Sequence, residues 1–389
     1  MREFKIFLVV ACFTALVYWG VEPYAHSVMK PHVAPANFDF KIEDTAYAQS
    51  VLKAAQNELE AAKADLAKAE EKSVEEEVSS AKAKVEAANK KLESAQASLD
   101  KINALYTQVD KIDFAKGDSA RGKAFFEGNC YACHGAKIDD LPANITDSSM
   151  GVVPPDLSSA ANLYGDKFLA ALVLQPAIAL KVDHKFGDAF IMSAYNSDTT
   201  GESEEVVNAN IADLIAYLNE IGAKYKANFE SSLSANLDEK YAKLTLDSET
   251  HKTLWQKDFA FEVDKNNFIE ACARCHSMRY DALNALSAKA DLMNYLGSNP
   301  PDLSMMIRSR GDEYLNNFIN NTQKLLPGTA MPRVGLNEEA QKSIVAYIEK
   351  VGDSKKEERE SLGLYIMGFF VILSIFAILW KRKIWANLH

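Results

Sequence analysis

Two short stretches carry the residues most able to do chemistry: Cys130-Tyr131-Ala132-Cys133-His134 and Cys272-Ala273-Arg274-Cys275-His276. Two thiols separated by two residues, with an imidazole directly after, form the attachment pattern of a c-type haem. The thiols add across the vinyl groups of the macrocycle, and the histidine is delivered to the iron as proximal ligand. A bare Cys-x-x-Cys also serves zinc or dithiol redox chemistry. The adjoining histidine and the recurrence of the motif favour two covalently bound haems c. Their attachment residues are Cys130, Cys133, Cys272 and Cys275, with His134 and His276 as axial ligands. Cys12 lies in an N-terminal apolar run, so the sequence holds no cysteine pair for a structural disulfide. One-electron transfer needs no acid–base pair or nucleophile from the chain, and no catalytic residue is assigned.

The elements that must position these groups also recur. Pro154-Pro155-Asp156-Leu157 follows the first motif and Pro300-Pro301-Asp302-Leu303 the second. Gly165-Asp166 and Gly311-Asp312 each stand eleven residues past the leading proline. Helical patterns close both copies, Ala216-Tyr217-Leu218 before Gly222 and Ala346-Tyr347-Ile348 before Gly352. Repetition at this level is the mark of a duplicated domain. Phe126 and Phe268 each precede the first cysteine by four residues, on the helix face that packs inward.

Each copy resembles the class I cytochrome c fold, in which an N-terminal helix enters the haem motif and a C-terminal helix crosses it. That resemblance implies a distal ligand, usually methionine, in the loop before the last helix. In the second copy the matching residue is Met331, in Ala330-Met331-Pro332; Met305 and Met306 are read as packing residues. In the first copy Met192 holds the place, within Phe190-Ile191-Met192-Ser193, with His184 and Met150 as rivals. A thioether ligand favours ferrous iron and raises the potential relative to bis-histidine ligation, so His184 would imply a lower-potential haem.

The expected fold class is mainly α, with two tandem class I cytochrome c domains, a helical hairpin insertion and one or two transmembrane helices. Residues 1–27 read as an N-terminal membrane anchor or signal peptide: Ile6 to Val21 carry no charge and span about 24 Å as helix. Residues 28–43, with His32, Pro31 and Pro35, read as a linker. Residues 44–112 are rich in Ala, Lys, Glu and Leu and free of Gly and Pro. Two heptad seams run through them, Leu52 to Ala69 and Val78 to Val109, mutually out of register. Ser73 and Glu76 have capping-box spacing at the break, which predicts an antiparallel hairpin, read as a docking arm or spacer, with one long, partly frayed helix as the alternative. Cytochrome domain 1 covers 113–225, a linker 226–250 for which the sequence leaves helix plus linker open, and cytochrome domain 2 covers 251–354. In 355–389, the nineteen uncharged residues Leu362 to Trp380 are long enough to span a membrane. Lys381, Arg382 and Lys383 follow, placing the C-terminus on the cytoplasmic side and the haem domains in the periplasm.

Formal net charge is −11, which argues against nucleic acid and is compatible with a solvated surface or with steering of a basic redox partner. Cys272-Ala273-Arg274-Cys275-His276-Ser277-Met278-Arg279-Tyr280, Pro300-Pro301-Asp302-Leu303-Ser304, Ala330-Met331-Pro332, the C-terminal span and the basic tail look like cytochrome c1. That is the c-type subunit of quinol–cytochrome c reductase, the cytochrome bc complex. The match covers roughly residues 250 to 389, and the whole chain resembles the dihaem c1-type subunit of epsilonproteobacterial bc complexes. The resemblance implies cytochrome b and Rieske iron–sulfur partners and a soluble or membrane cytochrome c acceptor. The second haem would take electrons from the Rieske protein and the first would pass them on. The alternatives are a stand-alone membrane-anchored dihaem shuttle, a cytochrome subunit of another respiratory enzyme, and a dihaem peroxidase. The last needs one haem with an open iron, whereas both copies here offer a distal methionine.

Overall fold

Long runs of strong helix formers dominate the chain, and helix accounts for 73% of the structure, a computed structural model. It describes residues 2–29, 36–72, 74–187, 190–245 and 247–386. Among these there is no strand, only isolated bridges. His32, Pro31, Pro35 and Ser73 lie outside the described residues. Contacts divide the chain into residues 1–36 and 37–389. In the first unit, α1 (Arg2–Leu16) continues through a π turn (Val17–Val21) into α2 (Glu22–Met29). Residues Arg2–Ala25 are long and apolar enough to cross a membrane.

The second unit starts with α3 (Phe40–Lys72) and α4 (Glu75–Val109). Lys41 pairs with Asp110 (2.6 Å), Tyr106 with Asp44 (2.8 Å) and Lys91 with Glu58 (2.6 Å). Numbers rise on one helix as they fall on the other, so the two are antiparallel. The seam between them buries Ala48, Ala55, Leu59, Ala69, Ala81, Ala88, Ala95 and Leu99, small side chains that allow close approach. The N-cap of α4 is Val74, with no side-chain cap. The first helix of this unit begins at Phe40, inside the interval expected to be linker, because Phe40 packs tilted against Phe168 (centroids 5.3 Å).

After a 3-10 turn, α5 (Ser119–Asn129) leads into the first Cys-x-x-Cys-His. Asp118 caps it by accepting from the Arg121 amide, an interaction worth about 1 kcal/mol. Short helices follow: α6 (Ala160–Leu163), α7 (Asp166–Leu174), α8 (Pro176–Ala179), α9 (Asp183–Phe186) and α10 (Ser197–Thr200). The long α11 (Glu204–Ala242) then crosses α5. At the crossing Gly122 lets the backbones meet; a Cβ there would lie 2.0 Å from the Asp213 carbonyl oxygen. Phe126, Leu169, Leu174, Ile211, Leu214 and Tyr217 form this core, and the hairpin base adds Leu105, Tyr106 and Val109.

The interval 226–250 expected to be a linker is helical instead over most of its length. Through residue 242 it extends α11, and from Ser248 it opens α12 (Ser248–Cys272). Tyr241 donates to Asp258 (2.8 Å), Trp255 to Asp238 (2.9 Å) and Tyr225 to Asn266 (3.1 Å), so these helices form a second antiparallel pair. Beyond the second motif come α13 (Lys289–Leu296), α14 (Met306–Arg310), α15 (Asp312–Phe318), α16 (Thr322–Leu325) and α17 (Glu338–Gly352), which packs across α12. Phe268, Met278, Leu315, Leu336, Ile344 and Tyr347 form the second core. The last helix, α18 (Lys356–Ala386), is also long and apolar enough to span a membrane.

Candidate haem sites

In the first region α5 ends as Cys130 and Tyr131 both direct their amides to the Phe126 carbonyl (2.8 and 3.0 Å). The amides of Cys133 and His134 then turn back onto the Cys130 carbonyl (3.1 and 2.9 Å), which sets both thiols and the imidazole on one tight loop. The His134 ring Nδ1 lies 3.0 Å from the Pro155 carbonyl. A carbonyl only accepts, so Nδ1 carries the proton and Nε2 keeps its lone pair. Asp156 holds the proline segment against the loop by accepting from the amides of Lys137 (3.1 Å) and Ser158 (3.0 Å).

Around the second motif these bonds recur one for one. Cys275 and His276 turn onto the Cys272 carbonyl (3.1 and 3.0 Å), and the His276 Nδ1 lies 2.8 Å from the Pro301 carbonyl. Asp302 accepts from the amides of Arg279 (3.1 Å) and Ser304 (3.1 Å). A bridge between Ala136 and Leu141 has its counterpart between Met278 and Leu283, and left-handed Asp140 (φ 60°) its counterpart in Ala282 (φ 55°). Phe126 meets Tyr217 at 5.6 Å, and Phe268 meets Tyr347 at 4.9 Å.

The donor sets suit a covalent haem. None of the five cysteines is in a disulfide, and the four of the motifs are half-buried. Burial pushes the thiols of Cys130 and Cys272 up to about 12 and that of Cys275 upward, so they stay neutral. Burial also lowers His134 and His276 below the usual imidazole value, against the opposing pull of their proline carbonyls. Both rings are thus neutral, each with an available Nε2. Among the described residues no group of three or more His, Cys, Asp and Glu side chains converges as a separate metal site.

Met331 and Met192 are half-buried in the loops before α17 and α11. The Met331 amide donates to Thr329 Oγ1 (3.3 Å). The chain after Met192 is pinned where the Tyr195 amide meets the Val173 carbonyl (2.9 Å) and Asn196 caps α10. His184 is exposed on α9, and Met150 is exposed beside Gly151, which lies against the Tyr295 ring. Met305 is exposed and receives the Tyr280 hydroxyl, while Met306 packs against the second core.

Several residues at this site escape sequence reasoning. Arg274, inside the second motif, acts on His134 of the first, where its charge further lowers the imidazole, and it donates its Nη1 to the Glu270 carbonyl (3.2 Å). Ser159 donates to Glu270 (3.0 Å), the Val153 amide to Ser287 (3.0 Å), and the Asn337 amide to the Leu163 carbonyl (2.8 Å). Burial raises the Glu270 carboxyl above its ordinary range. The two motif regions are therefore packed directly together. Asp44, Tyr106, Lys181 and Arg333 form a buried ionic cluster, with partners of Asp44 lying 62 and 289 residues away in sequence. No local pattern marks such a group.

Residues 119–222 match the family model for cytochrome c. This segment is a cytochrome c domain, and such a domain carries covalently bound haem c. No curated protein matches the chain. A solved structure described as a hyperthermophilic respiratory Complex III is similar at 25% identity, over 33% of this chain and 77% of that chain, with a TM-score of 0.29. Similarity of that order does not establish a shared fold.

Proposed function

We propose that the chain is a membrane-anchored dihaem cytochrome c, the c1-type electron-transfer subunit of a quinol–cytochrome c reductase. The observation that carries the second haem is the recurrence around Cys272–Ser304 of the hydrogen bonds that surround Cys130–Ser158, down to the proline carbonyl on each histidine Nδ1. The c1-type assignment rests on the Cys272–Tyr280, Pro300–Ser304 and Ala330–Pro332 segments and the apolar helix with a basic end that follows them.

Bound haem supplies reversible one-electron exchange at iron; the chain itself contributes no reacting group. The cysteines tether the macrocycle, and the proline carbonyls fix the tautomer and orientation of His134 and His276. Met192 and Met331 supply the distal thioethers. Ser159 with Glu270, and Asn337 with Leu163, hold the two sites against one another, which would keep an inter-haem step short. Cytochrome b and a Rieske iron–sulfur protein are the partners on the donor side and a cytochrome c on the acceptor side. Both apolar helices anchor the protein in the cytoplasmic membrane, with the haem regions in the periplasm and the C-terminus inside.

Haem composition after gentle extraction tests this. A tagged chain purified in mild detergent is expected to carry haems b and c in equal amounts, two of each, by pyridine haemochrome spectra. Haem c alone, from membranes whose bc complexes survive the detergent, would reduce the reading to an anchored dihaem shuttle.

A further inference from the structure

At the base of the hairpin, Asp44 is buried with 1% of its surface exposed and accepts from three side chains. Arg333 grips it with both terminal nitrogens (Nη1 at 2.7 Å), Lys181 Nζ reaches it at 2.7 Å, and the Tyr106 hydroxyl donates at 2.8 Å. Arg333 is fully buried, stacked over the Phe40 ring at 4.6 Å, and donates its Nε to the Asn320 carbonyl (2.8 Å). Lys181 lies over the Tyr47 ring at 4.7 Å with a left-handed backbone (φ 56°), a conformation that a side chain of this size adopts only under surrounding constraint.

The cluster joins three parts of the fold. Asp44, Tyr106, Phe40 and Tyr47 come from the hairpin, Lys181 from the segment after α8, and Arg333 from the stretch just after Met331. That stretch is fixed elsewhere too. The Arg333 amide donates to the Leu180 carbonyl (2.9 Å), and the Gly335 and Leu336 amides both donate to Asn320 Oδ1 (2.9 and 3.0 Å). Gly335 lies so close to the Phe168 ring that a Cβ would come within 1.9 Å. The side chain that ties residues 331–335 to the hairpin is that of Arg333, and what holds it there is Asp44.

We propose that the hairpin base is a brace for the second haem's distal ligand: Asp44, through Arg333, positions the Met331 thioether. Asp44 is a positioning residue, and the hairpin is an internal strut at this end. The inference rests on the reading of Met331 as axial ligand. A strut explains the burial of two cations around one carboxylate, which a docking arm or spacer does not require.

The test uses the full-length, detergent-extracted holoprotein. Its ferric sulfur-to-iron charge-transfer band reports thioether ligation, and titration with imidazole reports how readily that ligand is displaced at each haem. Met331→Ala should remove about half of the band, which identifies the second haem's share. Asp44→Asn should raise the imidazole affinity of that same half about tenfold, the usual effect of loosening an outer-shell support, and leave the other half unchanged. Tyr106→Phe, which deletes one hydroxyl and decides the matter if Asp44→Asn does not accumulate, should raise it about threefold. If Met331→Ala halves the band while the accumulating brace variants titrate as the parent does, the brace is refuted and the ligand stands. A full band in Met331→Ala refutes the ligand and the brace together.

Discussion

Around Cys130–Ser158 and Cys272–Ser304 the chain builds the same loop twice, with matching donors, acceptors and even the same left-handed turn residue position. Past those loops the two regions part. The first crosses its helices at a glycine, Gly122 against Asp213 and Tyr217. The second crosses them at the position of Asp264, whose carboxylate accepts from Ser343 (2.6 Å), with Asn267 donating to the same serine (2.8 Å). The distal loops differ more. The Met331 segment is locked by Arg333, Asn320 and the hairpin base, whereas the Met192 segment is pinned near Tyr195 and Asn196 at its end. The proximal half of each site is a local product of some thirty residues; the Met331 segment depends on contacts from remote parts of the chain, the Met192 segment on nearer ones.

Removing the proposed attachment cysteines in each region tests the likeness most severely. Cys130→Ala with Cys133→Ala, and Cys272→Ala with Cys275→Ala, should each lower covalent haem from about two to about one per chain in pyridine haemochrome spectra. A second-region pair that retains full haem content would show that its matching hydrogen bonds serve structure only.

The next effect falls on the distal asymmetry. Asp44→Asn leaves Arg333 and Lys181 buried without their carboxylate, a loss of about 3–5 kcal/mol expected from breaking a buried ion pair on one side. Lys181→Met leaves the Arg333–Asp44 pair intact and should cost about 1 kcal/mol. Burial pushes Asp44 upward, but Arg333 and Lys181 outweigh it and hold the carboxyl below its ordinary 3.8. A depressed carboxyl stabilises the fold above its unfolded value and loses that contribution as pH falls through the folded value. Stability should therefore drop below about pH 4, and the drop should shrink in Asp44→Asn, as read from thermal unfolding across pH.

These contrasts follow how far the sequence is legible. The Cys-x-x-Cys-His motifs, the Pro-Pro-Asp-Leu segments and the phenylalanines four residues upstream are visible because their chemistry and spacing are local. Helix, too, is legible in the alanine-rich heptads, and the phase break between Ala69 and Val78 falls between the end of α3 at Lys72 and the start of α4 at Glu75. Composition leaves 226–250 undecided, where mixed charge reads as helix plus linker. There the helix is stabilised by its partner, through Tyr225, Asp238 and Tyr241 on α11 and Asp258 on α12, and no single-helix pattern reveals such pairing. The Asp44 cluster is invisible for the same reason: its members are ordinary charged residues until the fold gathers them.

The helix crossings offer a smaller effect. Gly122→Ala must push α5 from α11, since the new Cβ would meet the Asp213 carbonyl carbon and oxygen; overpacking of this kind costs about 1–3 kcal/mol. Asp264→Asn at the matched position should be nearly neutral in acid. Burial raises the Asp264 carboxyl above its ordinary 3.8, so the folded state holds the proton longer than the unfolded chain. The parent then loses stability as pH rises from about 4 through the folded value, and the asparagine variant does not. Equal sensitivity of both positions to pH would remove this distinction between the crossings.

The finest contrast lies in the two tyrosines that close the cores. Both rings are buried against the phenylalanine before the motif, but their hydroxyls differ. Tyr347 donates to Asp281 at 2.7 Å, and Asp281 has one further cationic partner, Lys265 at 2.8 Å. Tyr217 reaches Asp139 at only 3.3 Å, and that carboxylate already binds Lys123 (2.6 Å) and Lys224 (3.2 Å). A hydrogen bond to a charged group contributes about 1.5 kcal/mol when short and less when long and shared. Tyr347→Phe should thus cost about 1.5 kcal/mol and Tyr217→Phe about 0.5 kcal/mol in thermal unfolding. Because the rings stay in place, the difference isolates the hydroxyl. Equal losses would mean that Asp139 gives up a lysine to keep its tyrosine, and that the two closures are energetically one design despite their geometry.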